Sequence, residues 1–243
     1  MAKGKLIVIE GPDGAGKTTL CKTISDRLVT SNNSKCEIYS LPNKRSFGYR
    51  KMREMLTKVN TPTDVLQSIM IVNMQELLTK QIKKDLEDNT SVILDRWLIS
   101  TIIYNTLNNG KLVDDMSTKT TTNKKLILDK ISSDYCHIPI YPDYIFYLNI
   151  PKDIILKHAS MRNSKEINDR AETVTKIYDL YQSFYNAATN NHEKFDSTYF
   201  VQEEDKKANH YVISPDTSID IDDEVMMYKN IEDQIYNILK FNM

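Results

Sequence analysis

The residues from Gly11 to Thr18 (GPDGAGKT) have types and spacing suited to binding phosphate. They match G-x-x-x-x-G-K-[ST] at every fixed position and follow the apolar run Leu6-Ile7-Val8-Ile9. Glycines allow such a turn to aim successive backbone N–H groups into one concavity, and the positive end of the helix that follows adds to the field. Lys17 can reach the β- and γ-phosphates of a nucleoside triphosphate, and Thr18 can hold Mg2+. The donor-binding set is therefore Gly11, Gly14, Ala15, Gly16, Lys17, Thr18 and Thr19. Asp13 lies inside the same loop. A carboxylate beside a triphosphate is costly without a partner of its own, which a sugar hydroxyl or a substrate-coordinated ion would supply.

A second chemical signal ends the apolar run at 92–94, where Asp95 and Arg96 stand side by side. An arginine there binds an anion and suits an acceptor phosphate. A mechanical ATPase would instead end this strand in Asp-Glu, the Glu activating water. A GTPase needs N-K-x-D to read guanine, and the nearest match, Asn123-Lys124-Lys125-Leu126, has Leu where the Asp must accept hydrogen bonds.

The elements that must position these groups follow from the apolar runs. Residues 6–10, 37–41, 92–95 and 144–150 read as buried parallel strands, and 211–214 as a weaker fifth, with helical segments between them. Alternating strands and helices around a phosphate loop predict an α/β doubly wound parallel sheet, with ligands at the carboxyl ends of the strands. The phosphate loop, Leu41-Pro42 and Asp95-Arg96 should then meet in one cleft. Residues 63–86 predict a helix that is apolar nearly all round at Val65, Leu66, Ile69, Met70, Ile71, Val72, Met74, Leu77 and Leu78. One buried face needs only about three or four apolar residues per two turns, so a second face is covered by a substrate, a partner subunit or both. Residues 108–123 read as a surface loop, 161–169 as a polar segment that could be a mobile lid, and 222–240 as a last helix. Residues 190–209 form a polar, acidic insertion.

A length of 243 residues sets a single α/β domain, 1–243, with its extra segments. Net charge is −1 and Lys and Arg are scattered, which argues against a nucleic-acid partner. Three cysteines (Cys21, Cys36, Cys136) form no C-x-x-C, as in a reduced, cytoplasmic protein, and Met1 to Lys5 lead directly into the first strand without a signal peptide. No apolar run approaches the roughly 20 residues of a membrane span. The four histidines are isolated and read as ordinary surface or core residues.

Taken in order, GPDGAGKTT, Leu41-Pro42, DRWLISTIIYN (95–105) and Tyr141-Pro142-Asp143 resemble the thymidylate kinase family over roughly residues 4–190. The resemblance implies a three-layer P-loop kinase sandwich: a five-stranded parallel sheet, helices on both faces and a short lid at about 160–172. It implies transfer of the ATP γ-phosphoryl group to dTMP with Mg2+, in a homodimer. By position, Asp13 would hold the acceptor sugar, Arg96 the acceptor phosphate, and Asp95 would support Mg2+ through water. Pro42, Arg45 (or Lys44), Ser100 and Thr101 would line the acceptor pocket, and Tyr104 would stand where a 2′-hydroxyl would clash. Gly14 lacks the basic side chain that some members carry in the loop, so Arg162 or Arg170 would supply the lid arginine; with Asp13, Lys17 and Arg96 they complete the catalytic set.

The chain departs from the family where the base is read. The family's F-x-x-x-R is replaced by Met70 and Met74, leaving Asn73 or Gln75 as hydrogen-bonding groups, so dUMP or 5-modified analogues enter as alternative acceptors. Two rival readings stay open. One is a deoxynucleoside kinase, which would carry Glu-Arg-Ser where this chain has Asp95-Arg96-Trp97. The other is an inactive nucleotide-binding protein on the same fold.

Overall fold

Five strands form one parallel sheet in the order β2-β3-β1-β4-β5: β1 (Leu6–Glu10), β2 (Lys35–Ser40), β3 (Thr90–Asp95), β4 (Tyr144–Leu148) and β5 (Asn209–Ile213). The computed structural model describes residues 4–32, 35–56, 63–108, 140–161, 171–190, 209–220 and 223–242. The surface loop expected from 108, the lid with Arg162 and Arg170, the insertion, Cys136, His137 and His192 lie outside the described residues, apart from their flanks. β2, β3 and β5 each begin before the apolar run that announced them, at Lys35, Thr90 and Asn209, because a ladder partner extends a strand beyond its hydrophobic stretch.

The helices are α1 (Lys17–Asn32), α2 (Phe47–Leu56), α3 (Thr63–Leu77), α4 (Lys83–Glu87), α5 (Leu98–Asn108), α6 (Lys152–Ser160), α7 (Ala171–Asn190) and α8 (Glu224–Asn242). They cover both faces of the sheet. Side chains alternate along β1, so Leu6 and Val8 enter one core with α3, α5 and α7, while Ile7 and Ile9 enter the other with α1, α6 and α8. A strand covered on both faces must be apolar throughout, which is why LIVI reads as an unbroken run.

Asp143, the acidic residue of the Pro-Asp motif, has a structural task. Its Oδ2 accepts from the Leu6 N–H at 2.9 Å, its Oδ1 pairs with Lys5 Nζ at 3.0 Å, and its own N–H donates to the Leu6 carbonyl at 2.8 Å. It fixes the entry of β1 beside β4.

The helix expected over 63–86 is helical throughout but widens into a π-turn at Leu78–Ile82 between α3 and α4. Both Leu78 and Ile82 are buried, so the wider turn keeps Leu77, Leu78, Ile82 and Leu86 in one core. On α3 the apolar surface is divided: Met74 and Leu77 are buried, while Val65 and Val72 are 38% and 58% exposed.

Candidate active site

The carboxyl ends of β1, β2 and β3 and the N-terminus of α1 open into a cavity of about 510 Å3. That volume lies in the usual range for small-molecule sites. Its wall joins the phosphate loop (Asp13, Gly14, Gly16 to Thr19) to Leu41-Pro42, Met70, Asp95, Arg96, Ser100, Thr101 and Tyr104. The sequence motifs that were expected to share a cleft do so.

The loop is tightly wound. Pro12 O accepts from the Ala15 N–H at 3.2 Å and from Lys17 Nζ at 2.7 Å, which holds the ammonium inside the loop. Burial pulls Lys17 down to about 8, with the Arg96 charge working in the same direction. Gly11 and Ala15 are buried in the loop's support, whereas Thr19 lies on the cavity wall. Gly16 has φ +75°, and a Cβ there would fall 2.6 Å from the Tyr228 ring.

At the donor end, Thr18 Oγ1 donates to Asp95 Oδ2 at 2.6 Å, and the buried Asp95 Oδ1 has no hydrogen-bond partner. A hydroxyl beside a carboxylate with a spare buried oxygen, next to a phosphate nest, matches the donor set of Mg2+. That ion is held by one or two protein oxygens together with phosphate and water.

Where the loop faces α5, Asp13 accepts from Arg96 and from the Tyr104 hydroxyl. The protein itself thus gives the loop carboxylate two partners, beside any that a substrate would supply. The Arg96 guanidinium also reaches Ser100 Oγ at 3.2 Å and stacks 5.4 Å from the Tyr104 ring centroid. Burial pushes the Tyr104 phenol well up, so it stays a neutral donor to Asp13. The Arg96 backbone sits at φ +82°, a conformation rare for a side-chain-bearing residue, and its N–H is tied to the Ile9 carbonyl at 3.0 Å.

Glu10, which sequence reasoning passed over, underlies this arrangement. It is fully buried at the end of β1. Its Oε1 accepts from the N–H groups of Trp97 and Ser100 at 2.6 and 3.1 Å, at the start of α5, and its Oε2 accepts from Ser100 Oγ at 2.6 Å and from the Tyr181 hydroxyl at 3.3 Å. The carboxylate satisfies orphan donors at a helix N-terminus and complements its dipole. An acidic residue closing an otherwise apolar strand was the available signal.

Three expected acceptor residues stand elsewhere. Asn73 is buried and spends its amide on the loop after β2: Oδ1 accepts from the Asn43 N–H at 2.7 Å, and Nδ2 donates to Asn43 O at 3.2 Å and to Ser46 Oγ. Met74, 2% exposed, packs in the core with Leu77 and Trp97. Arg45 is exposed and off the cavity wall, where its neighbour Lys44 is found. Met70 is the α3 side chain on the wall, and α2 adds Tyr49, Met52 and Arg53, which the sequence reading did not single out.

Among the described residues no group of three His, Cys, Asp or Glu could hold a metal ion, and no helix is long and apolar enough to cross a membrane. Burial holds His210 down at about 4, where its Nδ1 meets the Tyr147 hydroxyl at 2.9 Å.

Replacing Glu10 with Gln sets an NH2 group against donors. Urea unfolding should show a loss of about 2–3 kcal/mol, accompanied by lower turnover because Arg96 and Ser100 lose their support. An unchanged unfolding midpoint would contradict this role.

A family model described as thymidylate kinase matches residues 9–208. Among curated relatives, the thymidylate kinase of Leptospira borgpetersenii serovar Hardjo-bovis is 28% identical over 74% of this chain and 78% of its own length. That of Clostridium novyi is 25% identical over 69% and 76%. A solved thymidylate kinase from Candida albicans superposes with a TM-score of 0.64 at 19% identity, covering 100% of this chain and 93% of its own, and so shares the fold. With most of its length inside the family's bounds and with the phosphate loop and Asp95-Arg96 on one cavity, the chain belongs to the thymidylate kinase family, the ATP-dependent nucleoside monophosphate kinases that phosphorylate thymidylate.

Proposed function

We propose that the chain acts as one P-loop kinase domain that moves the γ-phosphoryl group of ATP onto the 5′-phosphate of dTMP, with Mg2+ held by Thr18 and, through water, by Asp95. The observation that carries the acceptor assignment is the Asp13–Arg96–Tyr104 cluster on the same cavity wall as the phosphate loop. Asp13 is tied to Arg96 and Tyr104, and Asp95 stands beside Thr18 at the donor end. Neither carboxylate is placed as a base for a 5′-hydroxyl. A phosphate acceptor needs none, because its second pKa near 6 leaves it largely dianionic at neutral pH. This favours a monophosphate acceptor over a nucleoside.

The residues divide the work by charge. The backbone nest and Lys17 hold the donor phosphates, and Mg2+ supplies charge neutralisation on the phosphate oxygens when bound. Arg96 presents a fork of donors to the acceptor phosphate while keeping Asp13, and Lys44 adds positive charge on the same wall. Asp13 receives the sugar hydroxyl, and Tyr104 fills the space of a 2′-hydroxyl. Pro42, Ser100 and Thr101 shape the acceptor pocket, Met70 covers the base face, and Arg53 of α2 offers a hydrogen-bond donor on the same wall. Arg162 or Arg170 of the lid completes the charge around the transferring group. The reaction then rests on positioning and electrostatics.

The exposed Val65 and Val72 lie seven positions apart on one side of α3, which supports a homodimer through that face. The free thiols of Cys21 and Cys36 fit a cytoplasmic setting.

A coupled assay with ATP should show phosphorylation of dTMP and none of thymidine, and Arg96→Ala should lower kcat/KM for dTMP by about 10²–10³. Turnover of thymidine alone would overturn the acceptor assignment. ATP binding to the free enzyme should weaken as pH rises through about 8, where Lys17 loses its proton. Titration calorimetry should find proton uptake on ATP binding that grows as pH rises through about 8 and approaches one per ATP above it. For the dimer, light scattering of Val72→Glu should give half the wild-type mass, and a wild type that is already monomeric when dilute and concentrated would refute the interface.

A further inference from the structure

His158, on α6, lies outside the catalytic set and yet touches the phosphate loop from behind. Its Nδ1 is 2.8 Å from the Gly14 carbonyl oxygen, and its Nε2 is 2.8 Å from Glu224 Oε2 at the start of α8. The ring lies parallel to Tyr228, with centroids 6.3 Å apart and planes inclined by 18°. Lys157 Nζ stands 2.5 Å from Glu224 Oε1, so the carboxylate carries its charge, and these two hydrogen bonds hold Glu224 below the usual carboxylate range. The groups facing the imidazole are therefore the Gly14 carbonyl from the loop, Lys157 from its own helix, and Glu224 and Tyr228 from α8.

Both partners of the ring are acceptors. A carbonyl oxygen donates nothing, and neither does an ionised carboxylate. The bond to the Gly14 carbonyl thus requires an N–H at Nδ1, an assignment made from the network. The same spot admits no side chain from the loop. Gly14 has φ +92°, and a Cβ there would lie 3.0 Å from the Ile155 carbonyl oxygen and 3.4 Å from His158 Cβ. The consequence for the donor site is geometric. In a planar trans peptide the C=O and the next N–H point in opposite directions. Pinning the Gly14 carbonyl outward on His158 turns the Ala15 N–H inward, toward Pro12 O, which also receives Lys17 Nζ.

We propose that His158 is a positioning residue for the donor phosphates: through its bond to the Gly14 carbonyl, with Glu224 holding the ring, it sets the orientation of the Gly14–Ala15 peptide, whose N–H closes the phosphate loop on Pro12 O. This rests on reading the loop as the ATP site and is independent of which monophosphate is the acceptor.

The test uses side chains that separate the hydrogen bond from the packing. An Asn amide places an N–H near the position of Nδ1, whereas a Gln amide reaches toward Nε2. His158→Asn should keep ATP affinity within about threefold of wild type, although it removes more ring packing. His158→Gln and His158→Leu should each weaken ATP binding about tenfold, the loss of one hydrogen bond, with KM for the monophosphate unchanged. In the full-length wild-type protein, nitrogen-15 spectra of the labelled imidazole should show a proton on Nδ1. This reading needs no variant to fold. A proton-free Nδ1, or equal ATP affinity in the Asn, Gln and Leu variants, overturns the proposal. Loss of all dTMP turnover in a wild type that still binds ATP would count against the acceptor assignment and leave this inference standing.

Discussion

A carboxylate buried without partners is among the most expensive groups a protein can hold, and the active site is organised around the way Glu10 avoids that cost. Its two oxygens collect N–H and O–H donors from the start of α5 and from Tyr181 of α7. In doing so they fix where β1 ends, where α5 begins and which way Ser100 faces. Arg96 occupies the junction between β3 and α5, and its left-handed backbone is tolerated because the residues on either side of it are held. The guanidinium then emerges toward Asp13 with its supports already in place. The acceptor end of the cavity is thus a product of packing two layers below it.

The charges of the site are interlocked in a similar way. Burial and the Arg96 charge lower Lys17 while Asp13 and Asp95 work the other way, and burial weakens the screening that water would give. Asp13 inside a phosphate loop is tolerable because Arg96 and Tyr104 both donate to it. Arg96 retains donors for an anion because a guanidinium carries five.

How much of this was legible in the sequence differed by the kind of constraint. The phosphate loop could be read directly, because backbone geometry allows few residue types at its fixed positions. The strands could be read from unbroken apolar runs, since a strand covered on both faces has no polar side; their exact starts could not, since those depend on ladder partners. Asn73 and Met74 were placed on the wrong side of α3. Which face of that helix meets the cavity is decided by how α2 and the loop after β2 pack against it, and nothing local in Met-Ile-Val-Asn-Met reports that. Arg45 and Lys44 are adjacent and alike in charge, so only the path of the loop separates them. Glu10 looks like a solvent-facing end of a strand until α5 is set above it. His158 was read as an ordinary histidine because its partners lie 144 and 66 positions away.

The close approach of α6 to Gly14 also bears on how such enzymes can change. A member of this family that carries its basic side chain in the loop and one that leaves a glycine there differ formally by one codon. In this chain the two forms are separated by more than that. A side chain at position 14 would meet the Ile155 carbonyl oxygen, a backbone atom that cannot rotate aside, in a conformation that disfavours any residue with a Cβ. The helix would have to move first, and with it the strand-to-helix connection at Pro151. The glycine is therefore tied to the position of α6: a side chain there needs a strained backbone and a small retreat of the helix together.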